Sequence, residues 1–344
     1  MTAPRIDRNK VRKILVIKLR AVGDVVLSTI VLRNLKLAFP QAQFDFLTER
    51  PSRDVLSGNP SVSSTIVYDR LTRSGFNLIA LVRQRSYDLV VDLFGNPRSA
   101  LVTFLSGARY RVGFRFRGRT YAYNIVVEPR GNSVHNTQFN LDALTAIDVA
   151  IQDQNLYFGF SLADDQYIDD YFRSAAISGF VVGLNTGGGW YTKRWPLTSF
   201  ATLADLLVER YRAAIVLTWG PEQLDQVRQL QSMIHHPAFI PPETTLPQLG
   251  ALLKRCTLVV SNDSGPMHIA AAVGTPVLGI YGPTNPGLQG PYGEKNATVR
   301  REGLDCLGCN LTSCPIGHPC MNELTAAMVL KAVEHILAKN SITP

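Results

Sequence analysis

The chain has 344 residues, of which 46% are hydrophobic and 18% charged, values typical of a globular protein large enough for two domains. No apolar run approaches the ~18 residues of a membrane-spanning helix, and the amino terminus lacks the apolar core of a signal peptide, so we expect a cytoplasmic protein. The net charge of +8 is unevenly divided, because residues 1–150 hold 22 Lys and Arg against 11 Asp and Glu. The first half therefore either meets an anionic partner, such as nucleic acid, a phosphorylated glycan or lipid head groups, or is a solvated basic surface.

The first half alternates strand-like and helix-like segments. Apolar residues recur at helical spacing over residues 24–39, which follow a strand-like run at 13–19. The remaining predicted elements of this half are strands at 43–49, 64–69 and 88–94 and a helix at 76–85.

The second half repeats this alternation, with predicted strands at 180–185, 214–219, 257–261 and 275–282 and helices at 198–211, 221–234 and 246–255. Near-continuous apolar strands separated by helices indicate parallel sheets that are covered on both faces. A polar helix near 164–179 marks the boundary. We therefore predict doubly wound domains at 1–170 and 171–321, followed by a final helical segment, 322–344, which no strand follows.

Ligands of doubly wound sheets bind just beyond the carboxyl ends of the strands, and three clusters of residues occupy such positions. The first cluster, "KLRAVGDVV", places Gly23 and Asp24 at the turn from the first strand into a helix. Neither the G-x-G-x-x-G fingerprint nor the G-x-x-x-x-G-K-[ST] loop is present, which argues against a dinucleotide dehydrogenase or a P-loop enzyme. Asp24 is either a helix-capping carboxylate or a general base.

The second cluster lies in "GLNTGGGWYTKRWPLTSF". Thr186 and the glycines at 187–189 leave a strand with a backbone that can approach a ligand closely. Lys193 follows a few residues later, before the next helix. Taken alone, the same pattern fits a flexible loop with a surface lysine.

The third cluster is "SNDSGPMHIAAAVGTPVLG", in which a strand, a tight turn and a helix beginning at Pro266 are predicted. The first amide groups of such a helix are unpaired and its dipole is positive there, so the turn can hold an anion. In the alternative interpretation Ser264 is the helix cap, Asp263 interacts with the dipole and His268 packs in the first turn.

Together, the order R-x-x-G-D-V, then T-G-G-G-x-x-x-K-R-W-P, then D-S-G-P-M-H-I-A-A-A-x-G-T-P-V resembles glycosyltransferase family 9, the ADP-heptose:lipopolysaccharide heptosyltransferases. The resemblance extends from about residue 13 to 335. It implies an α/β structure of the GT-B fold, with two Rossmann-like doubly wound domains facing a cleft and a C-terminal helix crossing back to the first domain. It also places the acceptor on the N-terminal domain and the nucleotide-sugar on the C-terminal one.

The resemblance further implies inverting chemistry, in which Asp24 matches the general base and Lys193 a lysine that contacts the donor. The other donor-binding residues it implies are Thr186, Gly187, Glu222, Asp263, Ser264, Gly265, Met267 and His268. A lysine, a glycine-rich turn and a helix N-terminus can stabilise a departing diphosphate without a metal. The sequence also lacks the Asp-x-Asp pair that often carries Mg²⁺ or Mn²⁺, so we expect catalysis to require no cofactor.

Arginines are concentrated in "RYRVGFRFRGR", residues 109–119, which is either a strand or hairpin with a solvated basic face or an acceptor site for phosphate or carboxylate groups. The family's anionic acceptors favour the second interpretation. The predicted acceptor-binding residues are Arg20, Arg109, Arg111, Arg115, Arg117 and Arg119. The same charge could hold the protein at an anionic membrane surface.

Four of the five cysteines, Cys306, Cys309, Cys314 and Cys320, are clustered with the spacing C-x2-C-x4-C-x5-C. Clustered cysteines in a cytosolic protein bind metal or stay reduced more often than they form disulfides. A structural zinc site, with His318 as a substitute ligand, or an iron–sulfur cluster is therefore one interpretation, although the spacing matches no standard zinc motif. Cys256 is expected to be a buried thiol.

The leading hypothesis is an inverting glycosyltransferase that moves a heptose from ADP-heptose to an anionic, lipid-linked lipopolysaccharide inner-core acceptor. Such an enzyme would be cytoplasmic, peripheral at the inner membrane, and without a nucleic-acid partner. One alternative keeps the fold and the chemistry but uses another sugar nucleotide to build a different surface glycan. Another is a non-catalytic binder of anionic polymers, whose binding would fall steeply with salt.

Overall fold

A computed structural model describes residues 4–69 and 75–344 of the chain. These residues divide into two compact units, one ending at Phe158 and the other beginning at Gly159. Each unit is built around one six-stranded sheet in which all the paired strands are parallel.

The first sheet has the order β3-β2-β1-β4-β5-β6. Its strands are β1 (Lys13–Ile17), β2 (Gln43–Glu49), β3 (Ser64–Tyr68), β4 (Leu89–Asp92), β5 (Tyr110–Phe114) and β6 (Ile125–Val127). The apolar runs in β1 and β4 are buried, as expected for central strands covered on both faces. The order reverses direction between β1 and β4, which creates the crevice where ligands of such sheets bind.

The described residues of this unit also form the helices α1 (Val22–Ser28), α2 (Ile30–Ala38), α3 (Gly75–Arg85), α4 (Pro97–Leu105) and α5 (Asn136–Thr145). Short 3₁₀ segments lie at Arg8–Lys10, Arg50–Leu56, Thr120–Ala122 and Gly131–Ser133. The single helix predicted for 24–39 is two helices that meet at Thr29, whose hydroxyl donates to the carbonyl of Val26 (2.7 Å) and accepts from the amide of Tyr157 (2.9 Å).

The second sheet has the order β12-β11-β10-β7-β8-β9. Read from β9, and with its strands numbered from one to six along the chain, it has the same order, 3-2-1-4-5-6, as the first sheet. Its strands are β7 (Val181–Asn185), β8 (Ala214–Thr218), β9 (Ala238–Phe239), β10 (Leu258–Asn262), β11 (Val277–Tyr281) and β12 (Ala297–Arg300). The reversal lies between β7 and β10, whose residues Asn185 and Ser261 are paired in register.

The helices of the second unit are α6 (Leu162–Ser174), α7 (Leu197–Tyr211), α8 (Leu224–Met233), α9 (Leu246–Arg255), α10 (Gly265–Ala272), α11 (Pro286–Gln289), α12 (Pro319–Asn322) and α13 (Ala326–Lys339). A 3₁₀ turn spans Tyr191–Lys193. The boundary predicted at residue 170 falls within α6, which begins at a capping box between Ser161 and Asp164.

Helix α13 packs on α7, β11 and β12 of the second unit. Its buried residues Val329, Val333 and Ile336 belong to the hydrophobic core of that unit. The predicted return of the segment 322–344 to the first domain stays a prediction.

Candidate active site

In the second unit, the loops that follow the neighbouring strands β7 and β10 bring an ion pair together. The ammonium of Lys193 lies 2.7 Å from Oδ2 of Asp263, and the two side chains are only 10% and 6% exposed. The hydroxyl of Thr284 donates to the same carboxylate oxygen (2.8 Å). A buried ion pair is tolerated only when its geometry is good and further hydrogen bonds satisfy it, and this pair meets both conditions.

Lys193 is held in place by the tryptophans on either side of it. Its ammonium lies 4.2 Å from the ring centroid of Trp190, a cation–π contact. Trp195 is 1% exposed, and its indole N–H donates to the carbonyl of Leu324 (2.8 Å) while its amide donates to Oδ1 of Asn262 (3.2 Å). The K-R-W-P sequence thus fixes the loop on the core and presents a lysine at the carboxyl edge of the sheet.

Helix α10 begins at this edge at Gly265, one residue before the predicted start at Pro266, and Ser264 is its N-cap residue. The Ser264 side chain makes no capping hydrogen bond to the helix, and its hydroxyl instead accepts from Nδ2 of Asn185 (2.7 Å). Ser264 therefore occupies the N-cap position, but its side chain does not hydrogen-bond to the first amide groups of α10. Such a terminus is suited to an anion.

In the turn after β7, the side chains of Gln223 and Asn185 pack closely against Gly187. A Cβ atom there would lie 3.1 Å from Nε2 of Gln223 and 3.2 Å from Oδ1 of Asn185. The carbonyl of Thr186, one residue earlier, accepts from Nδ2 of Asn262 (2.9 Å). This hydrogen bond ties the loop after β7 to the end of β10.

The remaining predicted donor residues differ in exposure. Met267 is fully buried and His268 is 5% exposed, so both are packed first-turn residues of α10. Glu222 is exposed and adopts a left-handed backbone conformation, with φ of 65°. Its neighbour Gln223, which sequence reasoning missed, is the side chain that borders Gly187. The donor-binding roles of these residues stay predictions.

In the first unit, Asp24 lies in the first turn of α1 and is half-buried. Its Oδ2 accepts the amide of Ala21 (2.9 Å), which is the helix-capping role that the sequence allowed. One carboxylate oxygen caps the helix, and the other accepts no hydrogen bond within residues 4–69 and 75–344; the role of Asp24 as a general base stays a prediction.

Two further charged residues, Lys18 and Asp92, are buried where β1 and β4 end, and sequence reasoning missed both. Lys18 is 9% exposed and Asp92 fully buried. Burial lowers the pKa of Lys18, against the opposing effects of Asp24 and then Asp92. Burial likewise raises the pKa of Asp92. Both residues lie at the carboxyl ends of central strands, a position that could have marked them as candidate site residues. They were missed because each lies in a mainly apolar segment that was interpreted only as a core strand.

Strand direction separates the predicted acceptor arginines into two groups. Arg109 and Arg111 lie at the amino end of β5, away from the carboxyl edge where ligands bind. The guanidinium of Arg111 donates to the carbonyls of Ala122 (3.0 Å) and Ala108 (2.7 Å), so it has a structural role. Only residues 110–114 of the arginine-rich segment form a strand, which is paired in parallel with β4 on one side and β6 on the other and is not part of a hairpin.

The other arginines follow the carboxyl ends of strands. Arg115 pairs with Glu128 (2.5 Å), and Arg119 donates to the carbonyl of Gly95 (2.8 Å). Arg20, after β1, and Arg117, after β5, are exposed. Within residues 4–69 and 75–344 their guanidinium groups make no ion pair or hydrogen bond, which is also true of Arg109 at the opposite end of β5, where the guanidinium lies over the ring of Tyr110.

The clustered cysteines line one pocket of about 70 Å³ together with His318. Nε2 of His318 lies 2.6 Å from the carbonyl of Thr192, a contact that engages this ring nitrogen. Within the described part of the chain, no three His, Cys, Asp or Glu side chains are arranged to hold a metal ion. The cysteines are therefore brought together, but not in the geometry of the predicted zinc or iron–sulfur site, which stays a prediction.

We expect the thiols to be alkylated in a fixed order. Burial raises the pKa of Cys256 to about 12, and burial with the neighbouring Cys306, Cys309 and Cys314 raises that of Cys320 to about 11. Since the thiolate is the nucleophile, iodoacetamide at pH 8 should modify exposed Cys309 first and reach Cys256 and Cys320 only on unfolding. Peptide mass spectrometry measures this order. Joint protection of all four clustered cysteines, relieved by a chelator, would instead reveal a bound metal.

Among the helices of residues 4–69 and 75–344, none has both the length and the apolar character needed to cross a lipid bilayer.

Comparisons with known proteins identify the family of the chain. The profile of "Glycosyltransferase family 9 (heptosyltransferase)" matches residues 76–318, more than half of the chain. Lipopolysaccharide heptosyltransferase 2 of Escherichia coli K12 is 29% identical over 318 residues, which cover 84% of this chain and 88% of that protein.

Two solved structures are similar over nearly the whole chain. A family 9 glycosyl transferase from Veillonella parvula superposes with a TM-score of 0.84 at 23% identity, covering 95% of this chain and 97% of that one. The ADP-heptose lps heptosyltransferase II of E. coli superposes with a TM-score of 0.76 at 24% identity, covering 96% and 99%. The predicted α/β class, with two Rossmann-like doubly wound domains of the GT-B fold, is confirmed.

Proposed function

Since this chain belongs to glycosyltransferase family 9, a family of heptosyltransferases, we propose that it transfers a heptose from ADP-heptose to an anionic, lipid-linked inner-core acceptor of lipopolysaccharide. The observation that carries the proposal is the buried Lys193–Asp263 pair beside the start of α10. That site combines a cation, open helix amides and a glycine turn, which is the chemistry a sugar diphosphate requires.

The donor diphosphate would bind at the edge formed by the loops after β7 and β10. Lys193 and the first amides of α10 would meet its negative charge, and Thr186, Gly187, Asp263 and Ser264 would line the sugar and phosphate end. Glu222 and Gln223 extend from the loop after β8, within reach of the ribose in this arrangement. The adenine preference is inferred from relatives, such as the E. coli enzyme whose description names ADP-heptose.

The reaction would be a single displacement with inversion at the anomeric carbon. An acceptor hydroxyl attacks that carbon, the bond from the carbon to the phosphate oxygen breaks, and ADP leaves with the negative charge. Lys193 and the α10 amides stabilise this charge, a role that fixed donors fill most effectively when they are already in place. The proton of the attacking hydroxyl passes to Asp24, through the carboxylate oxygen that does not cap α1.

The acceptor would be bound by the exposed guanidinium groups of Arg20 and Arg117, aided by Arg115 and Arg119. Arginine suits this task because its planar fork pairs bidentately with phosphate and carboxylate. A lipid-linked acceptor would place the enzyme at the cytoplasmic face of the inner membrane, where basic surfaces are attracted to anionic lipids.

The first experiment is a thermal-shift titration with ADP, UDP, GDP and CDP, each with and without EDTA, followed by transfer assays with ADP-heptose. We expect stabilisation by ADP alone, unaffected by EDTA, because the proposed site supplies its own cation. A preference for another nucleotide would retain the transferase but reject the heptose donor. Loss of the ADP response on adding EDTA would contradict metal-independent binding.

A further inference from the structure

The cysteine-containing loop between β12 and α12, residues 301–318, is hydrogen-bonded to the turn that carries Lys193. Nε2 of His318 lies 2.6 Å from the carbonyl oxygen of Thr192, the residue directly before Lys193. A carbonyl oxygen only accepts, so the imidazole donates from Nε2. The hydroxyl of Thr192 donates in turn to the carbonyl of Leu311 in the same loop (2.7 Å). Two hydrogen bonds therefore attach this turn to one loop, and the reaction outlined above uses neither.

The same loop is also attached to the segment that leads to Thr284. The amides of Gly308 and Asn310 donate to the carbonyls of the two residues before Thr284 (3.1 and 2.7 Å). The hydroxyl of Thr284 and the ammonium of Lys193 meet at the same oxygen of Asp263. One loop thus contacts the backbone beside each of the two side chains that hold this carboxylate.

The position of His318 is fixed by its own buried contacts. Its ring centroid lies 5.7 Å from that of Tyr191, and its amide donates to Sγ of Cys314 (3.2 Å). Its backbone is left-handed, with φ of 63°, a conformation that non-glycine residues adopt rarely and only where the surrounding structure holds it. Helix α12, which follows directly, places Met321 in the hydrophobic core of the second unit. The imidazole therefore contacts the turn from a well-anchored backbone.

We propose that His318 is a positioning residue for donor binding, which holds the turn Tyr191–Lys193 so that the ammonium of Lys193 meets the donor diphosphate. The inference rests on the proposed function, because it assumes that Lys193 contacts the donor. The imidazole acts through the peptide that joins Thr192 to Lys193 and does not itself contact the donor. A group that stabilises developing charge is effective only when it is already in place, so a small displacement of the turn impairs it.

The test compares His318→Asn with His318→Gln. Asparagine tolerates a left-handed backbone, but its amide is too short to reach the position of Nε2, whereas the longer amide of glutamine can donate there. In His318→Asn, kcat/KM for the donor should fall by up to about 10²-fold, the cost of displacing a site group by about 1 Å. The Kd for ADP, measured by calorimetric titration, should rise, and the KM for the acceptor should stay unchanged. His318→Gln should restore most of both losses.

A double-mutant cycle with Lys193→Met separates positioning from a general loss of structure. His318→Asn should raise the Kd for ADP when Lys193 is present but not in the Lys193→Met background, where the ammonium that it positions is already absent. Equal increases in both backgrounds would overturn the proposal. Equal losses in His318→Asn and His318→Gln, or an unchanged Kd in folded His318→Asn, would do the same.

The matched control is His335→Asn, which replaces an exposed histidine on α13 of the same unit and should behave like the wild type. If His318→Asn does not fold, the same cycle is run with Thr192→Val. That change removes the hydroxyl bond to Leu311, which holds the same turn, and keeps the branched shape of the side chain. An unchanged Kd, or equal increases in both backgrounds, would then overturn the proposal.

Failure of this inference differs from failure of the proposed function. A wild-type protein that neither binds ADP nor transfers a heptose would refute the proposed function. An active wild-type enzyme whose folded His318→Asn variant keeps its donor kinetics would refute only the role of His318.

Discussion

Replacing Asp24 by asparagine is expected to lower kcat by about 10²–10⁴-fold while leaving the affinity for ADP unchanged. The asparagine oxygen can still accept the amide of Ala21, so the start of α1 should survive. What is lost is the ability to take a proton from the acceptor hydroxyl. Steady-state ADP release gives kcat, and the thermal shift with ADP reports donor binding in the second unit.

The control for this variant is Asp54→Asn, which neutralises an exposed carboxylate on the segment that packs against α1. It should behave like the wild type. Loss of the charge of Asp24 from the first turn should cost ~0.3–1 kcal/mol of stability through the helix dipole, too little to unfold the unit. Asp24→Asn with wild-type kcat would show that the carboxylate only caps the helix.

The sequence was most informative where strands are central and mainly apolar. β1, β4, β7, β10 and β11 were predicted because central parallel strands must be apolar on both faces. The outer strands β9 and β12 were missed, since they are short and partly exposed and show neither a continuous nor an alternating pattern. The division of the first helix at Thr29 depends on its contact with Tyr157, which no local pattern contains.

The candidate site was predictable in part because loops at the carboxyl ends of parallel strands share one edge. That rule selected Lys193 and Asp263, which do lie in contact. It also applied to Asn185 and Thr284, whose hydrogen bonds to Ser264 and Asp263 complete the site, but nothing in their spacing distinguishes them from ordinary loop residues.

Arginine density could not show which guanidinium groups are available. Arg109 and Arg111 are two residues apart and resemble Arg115 and Arg117 in the sequence. The direction of β5 places the first pair at its amino end and the second pair beyond its carboxyl end. Availability for a ligand is then decided by local hydrogen bonds, which tie Arg111 to two carbonyls and leave Arg117 exposed.

Replacing Lys193 by methionine is expected to impair both activity and stability. Removing a fixed donor from a developing charge typically costs about 10²–10³ in kcat, and donor KM should rise as well. The substitution also leaves the carboxylate of Asp263 buried without its cation, a change that costs ~3–5 kcal/mol in comparable buried pairs. Steady-state kinetics and the thermal transition of the apo protein measure the two effects, with Lys331→Met on the exposed face of α13 as the control.

The two effects separate in the double variant Lys193→Met/Asp263→Asn. Neutralising both members of the pair removes the uncompensated charge, and the hydroxyl of Thr284 can still donate to the side-chain oxygen at position 263. Most of the lost stability should therefore return, whereas activity should stay low because the cation that meets the diphosphate is still absent. Recovery of activity together with stability would mean that Lys193 acts only by neutralising Asp263, and the helix amides of α10 would then be the sole support of the leaving group.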